Sequence, residues 1–316
     1  MKKKIPVILD GDPGHDDAIA WVMARALEAF DIKAITTVAG NQTLEKTTTN
    51  ARRISALIGL DVPIAKGRPV PLLGNLITAP NFHGESGLDG PELPEPIRDI
   101  EAFSASELMA KTLRESDEPV VIIATGPTTN VASLLLANPE LKEKIKCISI
   151  MGGGLRGGNW SSAAEFNVIV DPEALDIVMR SGVPVIMSSL DVTEKALCYP
   201  EEYERIRKIG NPVADVVAGW FDFFMKHLLS LGWQGATLHD PCAVLTVIYP
   251  ELFEFKELYV EVELSGQYCR GATIPDYYGS KNKEPNVKVA VDIDREKFIE
   301  ILVECCRFYS KEKELA

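Results

Sequence analysis

Short apolar segments alternate with segments of helical periodicity through the first two thirds of this chain. Such alternation predicts strand–helix units, which pack as a parallel sheet covered by helices on both faces. The predicted fold class is therefore α/β, with a doubly wound, mostly parallel central sheet flanked by helices. Strands are predicted at residues 6–10, 34–38, 62–66, 120–125, 147–151 and 183–187, and helices at 17–30, 44–58, 107–114, 130–137 and 172–180.

The remaining segments extend this α/β pattern. Ser104 with Glu107 forms a capping box, and Asp171 before a proline is a typical helix start. Residues 69–96 are rich in proline and glycine, which predicts a long ordered loop or lid. Strands at 258–265 and 287–293 and a closing helix at 295–308 complete the chain. No linker or repeat interrupts it, so we expect one domain over residues 1–316.

Charge and composition exclude several classes of partner. A net charge of −13 argues against binding to nucleic acid or to an anionic membrane, because phosphate recognition requires a basic face. No apolar segment reaches the length of a membrane helix, and the apolar stretch near the start is too short for a signal peptide. The six cysteines form no C-x-x-C pair, which is typical of a reduced, cytoplasmic protein.

Acidic residues are concentrated at the end of the first predicted strand, in a segment that we call the aspartate loop (residues 10–17). Like charges in one tight turn repel unless a cation lies among them. Carboxylate oxygens suit Ca²⁺ or Mg²⁺. The alternative, helix capping and the helix dipole, explains Asp16 and Asp17 but not the two acids on the strand side. The loop contains Asp10, Asp12, Asp16 and Asp17.

Polar residues also follow other predicted strands. Thr125 precedes a Gly-Pro turn. A glycine-rich segment follows the fifth predicted strand, but it contains neither G-x-x-x-x-G-K-[ST] nor G-x-G-x-x-G, the two common phosphate-binding patterns. Its amide and carboxylate side chains are better suited to sugar hydroxyls, although an asparagine in such a loop is often only a turn former. His239 directly precedes Asp240. A lone histidine is usually structural, so the residue pattern alone leaves open whether His239 acts as an acid or a base.

Taken together, these motifs resemble the signature of the inosine-uridine preferring nucleoside hydrolases, a family of nucleoside N-ribohydrolases. The resemblance spans nearly the whole chain in the family's order. It rests on residues 10–17 (DGDPGHDD), 36–41 (TTVAGN), 83–84 (HG), 125–127 (TGP), 158–159 (GN), 164–167 (AEFN) and 239–241 (HDP).

The resemblance implies a Ca²⁺ site formed by the carboxylates of Asp12, Asp17 and Asp240 and the carbonyl of Thr125. It further implies that Asp12 takes a proton from water and that His239 is the acid for the leaving base. It places residues 221–235 near the nucleobase. Many relatives have tyrosines in this segment, whereas this chain has none there, and His227 is a candidate replacement. The residues expected to bind the substrate are Asp16, Asn41, His83, Asn159, Glu165, Phe166, Asn167 and His227.

The activity implied by the resemblance is calcium-dependent hydrolysis of ribonucleosides to ribose and free base, with an inosine/uridine or pyrimidine preference. It also implies a homotetramer or homodimer. Three alternatives remain open: a hydrolase of a related riboside, a non-catalytic nucleoside binder, and a phosphatase of the haloacid dehalogenase type. The phosphatase fits poorly, because Pro13-Gly14 occupies the place of the hydrophobic residue and threonine that follow its nucleophile.

Overall fold

The computed structural model describes residues 3–230 and 232–312, apart from the side chains of residues 227, 230, 311 and 312. The strands are β1 Ile5–Gly11, β2 Phe30–Thr37, β3 Ile64–Lys66, β4 Val120–Ala124, β5 Ile145–Met151, β6 Val185–Ser188, β7 Leu197–Cys198, β8 Ala236–Thr237, β9 Phe253–Leu258, β10 Val260–Val262, β11 Thr273–Pro275 and β12 Val287–Ile293. The helices are α1 His15–Ala26, α2 Leu44–Leu57, α3 Pro80–His83, α4 Ala105–Glu115, α5 Thr129–Ala137, α6 Phe166–Val170, α7 Pro172–Met179, α8 Leu190–Thr193, α9 Pro200–Arg207, α10 Pro212–Ser230, α11 His239–Ile248 and α12 Arg295–Glu312, with 3₁₀ turns at Pro139–Lys144 and Pro250–Leu252.

Eight of the described strands form the central sheet in the order β3-β2-β1-β4-β5-β6-β12-β9. All neighbouring pairs are parallel except β12 with β9. The chain moves outward from β1 in one direction through β2 and β3, and then returns to the other side of β1 with β4. Such a reversal leaves a crevice at the carboxyl ends of the strands, where ligands bind in sheets of this type.

Apolar side chains cover both faces of this sheet. One buried cluster includes residues of α1, α10, α11 and α12, and the other includes residues of α4, α5 and α7. The predicted doubly wound α/β fold is therefore confirmed. All six cysteines are free thiols. Within the described ranges, no helix combines the length and apolarity needed to cross a bilayer.

Most predicted elements are present with shifted ends. The first helix ends at Ala26 because Glu28 adopts a positive φ of 50° and Phe30 already begins β2. The predicted strand 258–265 is wrong as a single element: β9 ends at Leu258, and Val260–Val262 pairs with β11 in a separate two-stranded sheet. The segment is divided because β9 pairs with β12 whereas Val260–Val262 pairs with β11. The sequence pattern of the segment itself does not reveal these partners.

The capping residues and the long loop agree with prediction. Ser104 and Glu107 form the capping box of α4, and the Asp171 carboxylate accepts a hydrogen bond from the Ala174 amide at 3.1 Å. Residues 69–96 contain only the short helix α3. This loop is held against α2, where the Asn50 side-chain amide donates to the Ser86 carbonyl at 3.0 Å.

Candidate active site

A cavity of about 320 Å³ opens at the carboxyl edge of the sheet, beside the reversal at β1 and β4. Segments after β1, β2, β4 and β5 and the start of α11 contribute to its wall. Asp12 and Asp17 are buried, and the side chain of His227 lies outside the part of the chain that the structure describes. The predicted site residues that line the cavity are Asp16, Asn41, His83, Thr125, Asn159, Glu165, Phe166, Asn167, His239 and Asp240.

Three buried carboxylates converge at the base of this cavity. One oxygen each of Asp16, Asp17 and Asp240 lies within 4.8 Å of the others. Asp17 belongs to the first turn of α1 and Asp240 to the first turn of α11, two helices that pack against each other. The Thr125 hydroxyl donates to Asp17 Oδ1 at 2.6 Å. Residues distant in sequence thus form one acidic cluster that could bind a metal ion.

Asp12 lies beside this cluster in a tightly enclosed position. Its Oδ2 accepts a hydrogen bond from the Asn41 amide at 2.6 Å, whereas its buried Oδ1 has no hydrogen-bond partner among the described residues. A Cβ atom on Gly40 would be 2.0 Å from Oδ2, and one on Gly126 would be 2.4 Å from Oδ1. Both positions therefore require glycine. The role of Gly40 was not predicted, although it belongs to the motif at residues 36–41.

Burial and mutual repulsion oppose ionisation in this cluster. Burial and the charge of Asp17 raise the pKa of Asp16 to about 8 and that of Asp12 well above its usual range. The pKa of Asp240 is also raised, by burial and by the charges of Asp16, Asp17 and Asp12. A divalent cation among these oxygens would remove the repulsion and give the orphaned Asp12 Oδ1 a partner. The donor set, all oxygen and anionic, therefore fits a hard cation.

Amide and carboxylate groups form the side of the cavity next to this cluster. Asn167 Nδ2 donates to the carbonyls of Thr125 at 2.8 Å and Met151 at 3.2 Å, which orients its Oδ1 as an acceptor. Glu165 accepts from the amides of Asn167, Val168 and Gly153 at 2.9–3.1 Å. Glu165 thus caps α6 and holds the glycine-rich turn, and its burial raises its pKa to about 7.

Aromatic and imidazole groups also line the cavity. His239 Nδ1 lies 2.8 Å from the Thr193 hydroxyl, and burial lowers the pKa of His239 to about 4. Phe224 and Trp233, from the segment expected to approach the nucleobase, line the cavity. Sequence reasoning missed Phe82 and Trp160, which also line it. Their adjacency to His83 and Asn159 in the sequence was a usable signal.

Comparison with known proteins identifies the same family as the motifs. The model of the inosine-uridine preferring nucleoside hydrolases matches residues 7–300. The pyrimidine-specific ribonucleoside hydrolase RihA of Escherichia coli O1:K1 is 53% identical over 309 residues, covering 97% of this chain and 99% of that protein.

Solved structures agree with this result. The purine-preferring ribonucleoside hydrolase of Gardnerella vaginalis is 30% identical with a TM-score of 0.91, covering 97% of this chain and 99% of that one. The inosine-uridine preferring nucleoside hydrolase of Bacillus anthracis, at 19% identity and a TM-score of 0.81, covers 96% of this chain and 99% of its own and shares the fold. The predicted family and enzyme class are confirmed: the chain belongs to the inosine-uridine preferring nucleoside hydrolases.

Proposed function

We propose that this protein is a calcium-dependent hydrolase that cleaves pyrimidine ribonucleosides to ribose and the free base. The observation that carries the proposal is the buried acidic cluster at the base of the cavity, in a chain 53% identical to a protein named pyrimidine-specific ribonucleoside hydrolase. The polar residues beside the cluster suit a ribose, and the aromatic residues that line the cavity suit a flat base.

The proposed ligands of Ca²⁺ are the carboxylates of Asp12, Asp17 and Asp240 and the carbonyl of Thr125. When bound, Ca²⁺ would fix the ribose hydroxyls and acidify a water molecule. The support comes from the cluster that Asp17 and Asp240 form with Asp16, and from the unpartnered Oδ1 of Asp12 beside that cluster. Asp16, which belongs to the same cluster and lines the cavity, is proposed to bind the ribose hydroxyls.

Asp12 is the proposed general base. The Asn41 amide donates to Oδ2 at 2.6 Å and so fixes the orientation of the carboxylate that would take a proton from water. Cleavage of an N-glycosidic bond places positive charge on the sugar ring, and oriented oxygens stabilise such charge. Glu165 and the acceptor Oδ1 of Asn167 are proposed for this role, supported by their position in the cavity lining, and Asn41 and Asn159 complete the proposed ribose site.

His239 is the proposed donor to the leaving base. The Thr193 hydroxyl contacts Nδ1, so Nε2 is the nitrogen on the other edge of the ring. Because burial lowers the pKa of His239, its neutral form is favoured before reaction. We infer that the neutral ring donates a hydrogen bond from Nε2 to the departing pyrimidine and so stabilises its growing negative charge.

A substrate panel tests the proposed specificity. We expect kcat/KM for uridine and cytidine to exceed that for inosine by about a hundredfold, which corresponds to about 2.7 kcal/mol of differential transition-state binding. Steady-state assays of ribose release on the purified protein measure this ratio. Equal rates on purines and pyrimidines would contradict the pyrimidine preference. Binding of uridine without product over hours would instead favour the non-catalytic alternative, and turnover of other ribosides alone would favour a related riboside as substrate.

The proposed role of His239 predicts a dependence on the leaving group. His239→Ala should lower kcat on uridine by about 10²-fold, because it removes the hydrogen bond that stabilises the departing base. The same variant should change kcat on p-nitrophenyl riboside little, because nitrophenolate leaves without a proton. Parallel assays of the two substrates measure the contrast, and equal losses on both would exclude His239 as the donor.

A further inference from the structure

Thr193, the last residue of α8, is the hydrogen-bond partner of His239. Its hydroxyl oxygen lies 2.8 Å from Nδ1 of the imidazole ring. The side chain is fully buried and, unlike that of His239, does not line the cavity. Thr193 can therefore influence the reaction only through the ring that it contacts.

The surroundings of Thr193 decide the direction of this hydrogen bond, because a hydroxyl group can either donate to an imidazole nitrogen or accept from it. Among the described residues, His239 is the only hydrogen-bond partner of the hydroxyl. The Ser189 carbonyl, one helical turn earlier, accepts the amides of Val192 and Thr193 instead, each at 3.0 Å. If Nδ1 carried a proton, the buried hydroxyl would have no acceptor for its own, which is costly. The hydroxyl therefore donates, and Nδ1 accepts.

An accepting Nδ1 has two consequences for a neutral His239. The proton of the ring must be on Nε2, the nitrogen that the proposed mechanism uses as the donor. The ring is also held against rotation, because turning it over would place a carbon atom where the Thr193 hydroxyl now donates. One hydrogen bond thus fixes both the tautomer and the orientation of the imidazole.

The position of Thr193 is itself fixed by the glycine-rich turn after β5. At the start of α8, the Leu190 amide donates to the Gly153 carbonyl at 2.9 Å. The Gly153 amide in turn donates to the Glu165 carboxylate at 3.0 Å. The same turn therefore supports the proposed ribose site on one side and the helix that carries Thr193 on the other.

We propose that Thr193 is a positioning residue for His239. Its hydroxyl donates to Nδ1 and so keeps the proton on Nε2, where it serves the departing base. This inference rests on the proposed function for the part that His239 takes in the reaction, but the hydrogen bond itself does not depend on that function. Loss of the hydroxyl should therefore impair departure of the base more than binding of the nucleoside.

Thr193→Val and Thr193→Ser form a matched pair of variants. Valine removes the hydroxyl and keeps the branched shape, whereas serine keeps the hydroxyl and removes the methyl group. We expect Thr193→Val to lower kcat on uridine about tenfold, and Thr193→Ser to stay within about threefold, since small misplacements of a reacting group are costly. On p-nitrophenyl riboside, whose leaving group needs no hydrogen bond, both variants should keep kcat within about twofold.

Long-range ¹H–¹⁵N correlation spectra of protein labelled at its four histidines show which nitrogen of each ring is protonated. The signals of His239 are assigned by their absence from the spectrum of His239→Ala. In the wild type and in Thr193→Ser, we expect a protonated Nε2 and an unprotonated Nδ1 with the ¹⁵N shift of a hydrogen-bonded acceptor. In Thr193→Val, the Nδ1 resonance should move toward that of a nitrogen with no donor.

A proton on Nδ1 of His239 in the wild type would overturn the proposal, and this measurement requires no variant to fold. So would a valine variant, folded by its melting curve, that turns over uridine as fast as the wild type. Equal losses for Thr193→Val on the two substrates, where His239→Ala shows the contrast, would also overturn it. A wild type that turns over no ribonucleoside would refute the proposed function, but the spectra would still decide whether Thr193 sets the proton of His239.

Discussion

Asp12→Asn is expected to lower kcat on uridine by about 10³-fold or more, because it removes both the proposed general base and one charge from the proposed calcium site. The melting temperature should change little. Steady-state turnover and a thermal melt of the same preparation measure the two effects.

The structure explains why this variant should fold. Asparagine has the shape of aspartate, and its amide oxygen can accept from the Asn41 amide as Oδ2 does now. The amide nitrogen would then occupy the place of Oδ1, which has no hydrogen-bond partner among the described residues. No existing hydrogen bond of this side chain needs to be lost, so the loss of turnover reports on chemistry and not on unfolding.

Asp10→Asn is the matched control. Asp10 is equally buried in the same loop and also has one carboxylate oxygen, Oδ2, without a partner among the described residues. Its Oδ1 accepts from the Thr36 hydroxyl at 2.6 Å and the Asn130 amide at 2.8 Å, interactions that an amide oxygen can keep. We expect this variant to retain turnover within about tenfold. Near-normal turnover by Asp12→Asn would exclude Asp12 as the general base.

Removal of divalent cations should lower turnover about as much as Asp12→Asn does. After dialysis against a chelator, turnover on uridine should fall by about 10³-fold and return with added Ca²⁺. Ca²⁺ should also raise the free energy of unfolding, by about 2.7 kcal/mol when its concentration is a hundred times Kd. The physical reason is that the apo cluster places Asp16, Asp17 and Asp240 together with no cation to offset their repulsion.

A pair of variants distinguishes this site from adventitious calcium binding. Asp240→Asn should lose the calcium-dependent increase in melting temperature, since it removes a carboxylate of the cluster. Glu194→Gln should keep it, because Glu194 lines the cavity but lies outside the cluster. Turnover that survives complete removal of divalent cations would exclude the metal from the mechanism, and full recovery with Mg²⁺ alone would exclude a specific need for calcium.

Local patterns in the sequence predicted the elements that depend on neighbouring residues. The strand before the aspartate loop, the capping box at Ser104 and the start of α7 at Asp171 each follow from side chains a few positions apart. The antiparallel edge strand β9 and the long helix α10 were not predicted. Edge pairing depends on which segment reaches the last strand, and the local sequence pattern does not specify that segment.

The active site also has features that the sequence predicted and features that only the tertiary structure determined. The order of the motifs along the sequence was enough to identify the family. It also identified the acidic residues, because the chemistry of a carboxylate is a property of the residue type. Only the tertiary structure brought Asp240 to Asp17, enclosed Asp12 between Gly40 and Gly126, and placed Thr193 against His239. Distances between segments far apart in the chain, and the desolvation that shifts their pKa values, exist only after the helices have packed on the sheet.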